Sequence, residues 1–282
     1  MMDYQFDLVG KIGSMALIRK EDKDIDYNIF SRLGAELKPG MIWVTSGATE
    51  IGRLDYLKRT GCELCGSDDE IKADYAAQGQ SILMQNYRQF IHQEYGVRQL
   101  LVEHTHFNDP EKREHIRRLL IRAAQQKTIP IVNYNDPFPI LSYHSQMAPN
   151  FKIDAAIRRS HGDQVVECVD NDETAAVIAN LVHAKKLVLM TSTEGIYRDP
   201  TDPKTLVEQV TAKSMEELEE KVRQLQESCV GASRAGANGA KAKLEYALKT
   251  ARQGTMVIIG HARHRLSDLV EGRVACTRIG LE

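Results

Sequence analysis

The chain has 282 residues, with 37 Lys and Arg against 39 Asp and Glu, a formal net charge of -2 and a pI near 6.5. That balance gives no electrostatic basis for binding nucleic acid or an anionic membrane, and no apolar run reaches the roughly 20 residues of a membrane span. The length suffices for one large α/β domain or two small ones with a sizeable core. The N-terminus, MMDYQFDLVGK, is acidic and strand-like, unlike a secretory signal. Five cysteines without repeated spacing fit a reducing compartment. Cys62-Glu-Leu-Cys65 is a lone CxxC, without the second pair of ligands that a metal site needs. The expectation is a soluble, cytoplasmic protein.

In chain order, Phe6–Val9 predicts a first strand that ends in Gly10-Lys11-Ile12-Gly13. A lysine between glycines suits a phosphate, because the main chain can come close and the ammonium is a point charge. The GxxxxGK[ST] spacing of a Walker loop is absent, and taken alone Lys11 reads as a surface lysine in a turn. Tyr27–Leu37 predicts a helix stopped by Pro39-Gly40. Met41–Val44 is the next strand, running into Thr45-Ser46-Gly47-Ala48-Thr49-Glu50-Ile51-Gly52. Small residues there let a ligand approach the main chain, and Ser46 can donate to a carboxylate or phosphate. Ala73–Tyr95 predicts a long helix carrying Gln78-Gly79-Gln80, and Leu100–Glu103 a third strand. A charged helix at Glu111–Gln126 then leads to a fourth strand, Thr128–Val132, which ends in Asn133-Tyr134-Asn135-Asp136.

The stretch from Val169 to Pro200 organises the rest. Asp170, Asn171 and Asp172 precede apolar residues at helical spacing, Ala175, Ala176, Ile178, Ala179, Leu181 and Val182. Acidic and amide side chains at that point can cap the first turn and complement the helix dipole. Leu187–Met190 is a strand, followed by Thr191-Ser192 and a turn at Glu194-Gly195. Strand, polar loop and glycine turn in that order point to a parallel α/β sheet with its site at the strand ends. Ser214-Met-Glu-Glu217 reads as a capping box opening a helix to about Ser228. The small-residue loop Gly231–Gly239, a helix to about Arg252 and a last strand at Thr255–Ile259 follow.

Seven motifs now stand in order: Lys11-Ile-Gly, Thr45-Ser-Gly-Ala with Gly52, Gln78-Gly-Gln80, Asn133-Tyr-Asn-Asp136, Asp170-Asn-Asp172, Glu194-Gly-Ile-Tyr197 with Asp199-Pro200, and Gly236-Ala-Asn-Gly-Ala-Lys-Ala-Lys243. With them the sequence resembles the amino-acid kinase superfamily, and most closely glutamate 5-kinases, from about Asp7 to about Gly280. The resemblance implies a single domain over residues 1–282, an α/β/α sandwich around a mainly parallel sheet. It implies transfer of the γ-phosphoryl of ATP to the γ-carboxylate of glutamate, in proline biosynthesis, with Mg2+ carried on the ATP phosphates. By position, Ser46, Gly47, Asp136 and Asn171 match the acceptor site. Lys11 and Lys243 match the lysines that touch the phosphates, and Asp172 the aspartate that orients them. Thr191, Ser192, Ala237, Asn238 and Gly239 match the nucleotide loops. A homo-oligomer is the expected assembly.

The chain also departs from those kinases. Thr191-Ser192 stands where they have Thr-Asp, and Gly236-Ala-Asn-Gly-Ala where they have Gly-Thr-Gly-Gly-Met. A segment at about 137–169, with Tyr143, His144, Arg158, Arg159 and His161, is much longer than theirs, and the appended C-terminal PUA domain has no counterpart here. The long segment predicts a lid over an anionic acceptor, and leaves open another carboxylate or a phosphate as acceptor. The altered nucleotide loops leave open a non-catalytic ligand-binding protein on the same fold.

Overall fold

The computed structural model describes residues 5–135, 166, 170–199, 201–229 and 239–282. Asp136, Ala237, Asn238 and, apart from Val166, the long segment at 137–169 lie outside the described residues. The main elements are β1 (Leu8–Ile12), β2 (Ile18–Arg19), β3 (Asp24–Ile25), α1 (Tyr27–Glu36), β4 (Met41–Thr45), α2 (Ala48–Thr60) and α3 (Asp68–Phe90). Then come β5 (Gly96–Val102), α4 (His104–Asn108), α5 (Pro110–Gln125), β6 (Thr128–Tyr134), α6 (Asn171–Leu181) and β7 (Lys186–Thr191). The last are β8 (Ile196–Tyr197), β9 (Leu206–Val207), β10 (Gln209–Ala212), α7 (Met215–Ser228), α8 (Gly239–Ala251), β11 (Met256–His261), α9 (Leu266–Glu271) and β12 (Cys276–Leu281).

Eight strands form one sheet in the order β10-β12-β11-β7-β1-β4-β6-β5. Each neighbouring pair is parallel except β11 with β12. A parallel sheet needs cover on both faces, and alternation along the strands supplies it. Val9, Val44, Leu187, Leu189, Val257 and Ile259 face a core built with α4, α5, α6, α7 and α8. Leu8, Ile12, Trp43, Val188, Met190 and Ile258 face the opposite core, with α1, α2, α3 and α9. The architecture is the three-layer α/β/α sandwich that the sequence predicts.

Boundaries moved where tertiary contacts decide them. The first strand runs to Ile12, so Lys11 lies within β1 and is buried rather than in a surface turn. Gly10 allows this: a Cβ there would sit 2.1 Å from the Trp43 ring on the neighbouring strand. The Thr45–Gly52 stretch is a loop for only two residues before α2 begins at Ala48. Gly52, read with its loop as letting a ligand approach the main chain, instead lies inside α2, where with Gly79 it lets α2 and α3 touch. A Cβ on either would lie 1.8 Å from a backbone carbonyl oxygen, of Tyr75 and Ala48 respectively. Ser214 does cap α7 by accepting from Glu217 N–H, but Glu217 turns its carboxylate to the Lys213 N–H, outside the reciprocal pattern of a capping box.

Candidate active site

The centre of the site is where β1 lies between β7 and β4, the crevice that an open α/β sheet offers a ligand. Lys11 shares a strand face with Val9 and so reaches toward α6. Its Nζ lies 2.7 Å from Asp172 Oδ1, and Lys243 Nζ, from the second turn of α8, lies 2.9 Å from Asp172 Oδ2. Residues separated by more than 230 positions at the extremes thus meet on one carboxylate. Helix α6 can spare that carboxylate because Asp170 does the capping, its Oδ1 accepting from the N–H groups of Asp172 and Glu173 at 2.9 Å each.

The electrostatics follow. Burial opposes the charge on Asp172, which is only 3% exposed, but the two ammonium groups outweigh it and hold the carboxyl at about 2. Asp170 goes the other way: burial, reinforced by the charge of Asp172, raises its carboxyl above the ordinary value. Two ammonium groups converge on the one Asp172 carboxylate, with Asp170 near enough to feel both, and paired ammonium groups are a setting for an anion. Among the described residues no group of three or more His, Cys, Asp or Glu converges on one point. The donors gathered here are ammonium groups, which suit phosphate oxygens.

Beside this triad lies a neutral, amide-rich end. Asn171, the first residue of α6, donates to Ser46 Oγ at 3.0 Å and to Asn133 Oδ1 at 2.9 Å, and accepts from Tyr134 N–H at 3.2 Å. Asn133 in turn donates to Gln80 Oε1 at 2.9 Å. Gly47 holds the turn between β4 and α2 with φ 104°, left-handed backbone that glycine adopts without strain. Ser46 N–H donates to Ile12 O, which ties this end to the strand that carries Lys11.

At the other side of β1, Thr191 ends β7 and Ser192 follows it. The Thr191 hydroxyl is engaged within its own loop, donating to Thr193 O and accepting Thr193 N–H. Gly239 opens α8 one turn before Lys243. Of the proposed site residues, then, the structure brings Lys11, Asp172 and Lys243 into one cluster, and Ser46 and Asn171 into another beside it. Thr191 and Ser192 stand at the strand ends next to β1, and three residues (Asp136, Ala237 and Asn238) fall outside the described chain.

Two features have no signature in the sequence. Glu194, in the loop after β7, lies 2.6 Å from His264 Nε2 and pairs with Arg263, both just past β11. His261, the last residue of β11, is in register with Thr191 and accepts Arg263 N–H on Nδ1 at 3.0 Å. Elsewhere on that side of the sheet, Asn108 holds Val166 by both backbone groups, at 2.9 and 2.7 Å, and Asn135 donates to Glu103. The partners of Glu194, Asn108 and Asn135 lie 32 to 70 residues away in the sequence, and no local pattern announces them. Cys62 and Cys65 are exposed thiols, while Cys229 and Cys276 are buried.

This fold and site define a class. The model of the Amino acid kinase family matches residues 8–261, and the chain belongs to that family. It is similar to the glutamate 5-kinase of Geobacillus thermodenitrificans (strain NG80-2), 28% identical over an alignment 285 residues long that covers 97% of this chain and 67% of that protein. It is likewise similar to glutamate 5-kinase 1 of Bacillus subtilis (strain 168), 28% identical over 97% of this chain and 68% of that protein. The chain spans about two thirds of the length of these relatives. Among solved structures, a carbamate kinase from Giardia lamblia has a TM-score of 0.60 at 14% identity, covering 98% of each chain. A UMP kinase from Ureaplasma parvum has a TM-score of 0.57 at 13% identity, covering 99% of this chain and 100% of its own. Those two share the fold. Among the described residues no helix is long and apolar enough to cross a membrane.

Proposed function

We propose that the protein is a phosphotransferase that moves the γ-phosphoryl of ATP to a carboxylate, with the γ-carboxylate of L-glutamate as first choice. The observation that carries this is Asp172 held between Lys11 and Lys243 at 2.7 and 2.9 Å, next to the Ser46–Asn171 cluster. A carboxylate attacking a phosphoryl group brings two anions together, so catalysis consists mainly of positioning and charge neutralisation. A carboxylate acceptor has no proton to remove, and Asp172, ionised and pinned by two lysines, is placed to orient rather than to act as a base. Lys11, deep in β1, and Lys243, on α8, meet the transferring phosphoryl group and the phosphates from two sides. Both stabilise charge that grows as the bond breaks.

Ser46, Gly47, Asp136 and Asn171 bind the acceptor in this reading. Thr191, Ser192, Ala237, Asn238 and Gly239 hold the nucleotide, and Mg2+, carried on the phosphates, supplies further neutralisation. A cytoplasmic homo-oligomer, one kinase domain per chain and a place in proline biosynthesis complete the reading; the names of the similar glutamate 5-kinases support the last. An ADP-release assay against amino acids, other carboxylates and nucleoside monophosphates tests it. Turnover of L-glutamate well above the rest is the expected result. Preference for a phosphate acceptor would replace the carboxylate assignment, and no turnover with any acceptor would leave a ligand-binding protein on this fold.

A further inference from the structure

The acceptor end is backed by a chain of side-chain amides that extends well past the residues assigned to it. An asparagine amide has two donor protons, and both of Asn171's are spent, on Ser46 Oγ and on Asn133 Oδ1. Its oxygen accepts from Tyr134 N–H. Behind it, Asn133 Nδ2 donates to Gln80 Oε1, and Gln80 Nε2 donates to Gln99 Oε1 at 3.1 Å. The donations therefore run in one direction, from α6 through β6 and α3 to exposed Gln99 on the edge strand β5. Gln80 is 9% exposed and Asn133 1%, so water has little access to substitute for either partner.

The direction has a consequence at Ser46. Because Asn171 donates to it, Ser46 Oγ is an acceptor in this contact and keeps its own proton for another partner. Were Asn133 turned end for end, its N–H groups would face those of Asn171. Asn171 would then turn as well, losing Tyr134 N–H and presenting its oxygen to Ser46, and the serine proton would be drawn inward. Gln80 Oε1 holds Asn133 the right way round from one end, and Tyr134 N–H, which can only donate, holds Asn171 from the other.

We propose that Gln80 is a positioning residue for the acceptor: acting through Asn133 and Asn171, it keeps the Ser46 hydroxyl proton available to an anionic acceptor. This rests on the reading of Ser46 as an acceptor-binding residue. It assigns a role to a buried helix residue that touches no substrate.

The test is steady-state kinetics of Gln80→Leu, alone and with Ser46→Ala, using the carboxylate that the wild-type protein turns over best. Gln80→Leu alone is expected to raise acceptor KM about tenfold or more and leave ATP KM within about twofold. In the Ser46→Ala background the same change is expected to shift acceptor KM by less than about threefold, because the path from Gln80 ends at that hydroxyl. An unchanged acceptor KM in folded Gln80→Leu overturns the proposal, as do effects of the two substitutions that multiply. A merely structural role would lower Tm and leave the ratio of the two KM values alone. Should leucine not fold at this site, the wild-type protein still decides. The side-chain amide protons of Asn133 and Asn171 must exchange with D2O far more slowly than those of Gln99, and rapid exchange overturns the relay. If the wild-type protein phosphorylates no carboxylate, it is the acceptor reading that fails, while the exchange measurement reports on the relay independently.

Discussion

At Asp172 one carboxylate holds two cations, and its neighbour Asp170 takes the task of capping, so the two aspartates have separable roles. Asp172→Asn keeps the shape and loses the charge that aligns Lys11 and Lys243. In the proposed reaction this lowers kcat by about 10²-fold, while a melting curve shows the fold retained. Lys11→Ala and Lys243→Ala each lower kcat by a similar factor, about 10²-fold or more, with modest change in acceptor KM, since the lost stabilisation is largest in the transition state. Arginine rescues neither, because its planar fork does not reproduce a point charge on a flexible stem. Asp172 also sets a pH dependence. Its folded value of about 2 lies below the ordinary 3.8, so its contribution is fully present above pH 3.8 and lost as pH falls through about 2. The difference corresponds to about 2 kcal/mol. Asp170, raised, acts in the opposite sense, since protonation there favours the native state. Urea unfolding at pH 5 and pH 3 checks the Asp172 contribution: wild type should lose about 1 kcal/mol more over that interval than Asp172→Asn. Equal losses would mean that the two lysines do not hold this carboxylate.

At the scale of elements, the contact of α2 with α3 is the tightest of the glycine contacts among the described residues. It lies directly behind the Ser46-Gly47 turn, since α2 starts at Ala48 and α3 carries Gln80. At Gly79 a methyl group would sit 1.8 Å from Ala48 O and 2.8 Å from Ala48 C, so backbone, not a flexible side chain, would have to move. Overpacking costs about 1–3 kcal/mol in ordinary cores and more where backbone must shift. Gly79→Ala should therefore lower Tm by about 6 °C or more, at roughly 2–4 °C per kcal/mol for a chain of this size. Gly61→Ala is the contrasting case. Nothing lies within 4 Å of its added methyl, and only the left-handed φ of 74° at the end of α2 opposes it. Its smaller loss, read on the same melting curves, separates backbone strain from steric clash.

On the scale of the whole molecule, the triad joins the first strand, a central helix and a late helix, so its formation reports on assembly of the sheet. A ligand that binds this arrangement and not the unfolded chain stabilises it by RT ln(1 + [L]/Kd), about 2.7 kcal/mol at a hundredfold excess over Kd. A non-hydrolysable ATP analogue with Mg2+ should then raise the wild-type Tm by about 5 °C or more, and by much less in Lys11→Ala or Lys243→Ala. An equal shift in all three proteins would move the nucleotide away from these lysines.

Much of this molecule is legible from the chain alone, because strand alternation, caps and glycine turns are local physics. The strands at Met41, Thr128 and Leu187, the helix from Tyr27, the charged helix read from Glu111 and found from Pro110, and the order of the motifs all follow from residues a few positions apart. The resemblance carried by the ordered motifs likewise singles out Lys11, Ser46, Asn171, Asp172 and Lys243 as site candidates. Only the tertiary structure decided what these groups do to one another. Burial of Lys11 depends on a glycine under Trp43, one strand away. The capping of α6 by Asp170 rather than Asp172 is a matter of side-chain direction, and both residue types cap equally well in a sequence. Gly52 reads as part of a ligand-facing loop until α2 and α3 are seen to meet at Gly52 and Gly79. The amide chain from Gln99 to Ser46 and the Glu194–His264 pair span contacts of 19 to 125 residues in separation. Such contacts are fixed when the sheet assembles, by packing that no window of sequence contains.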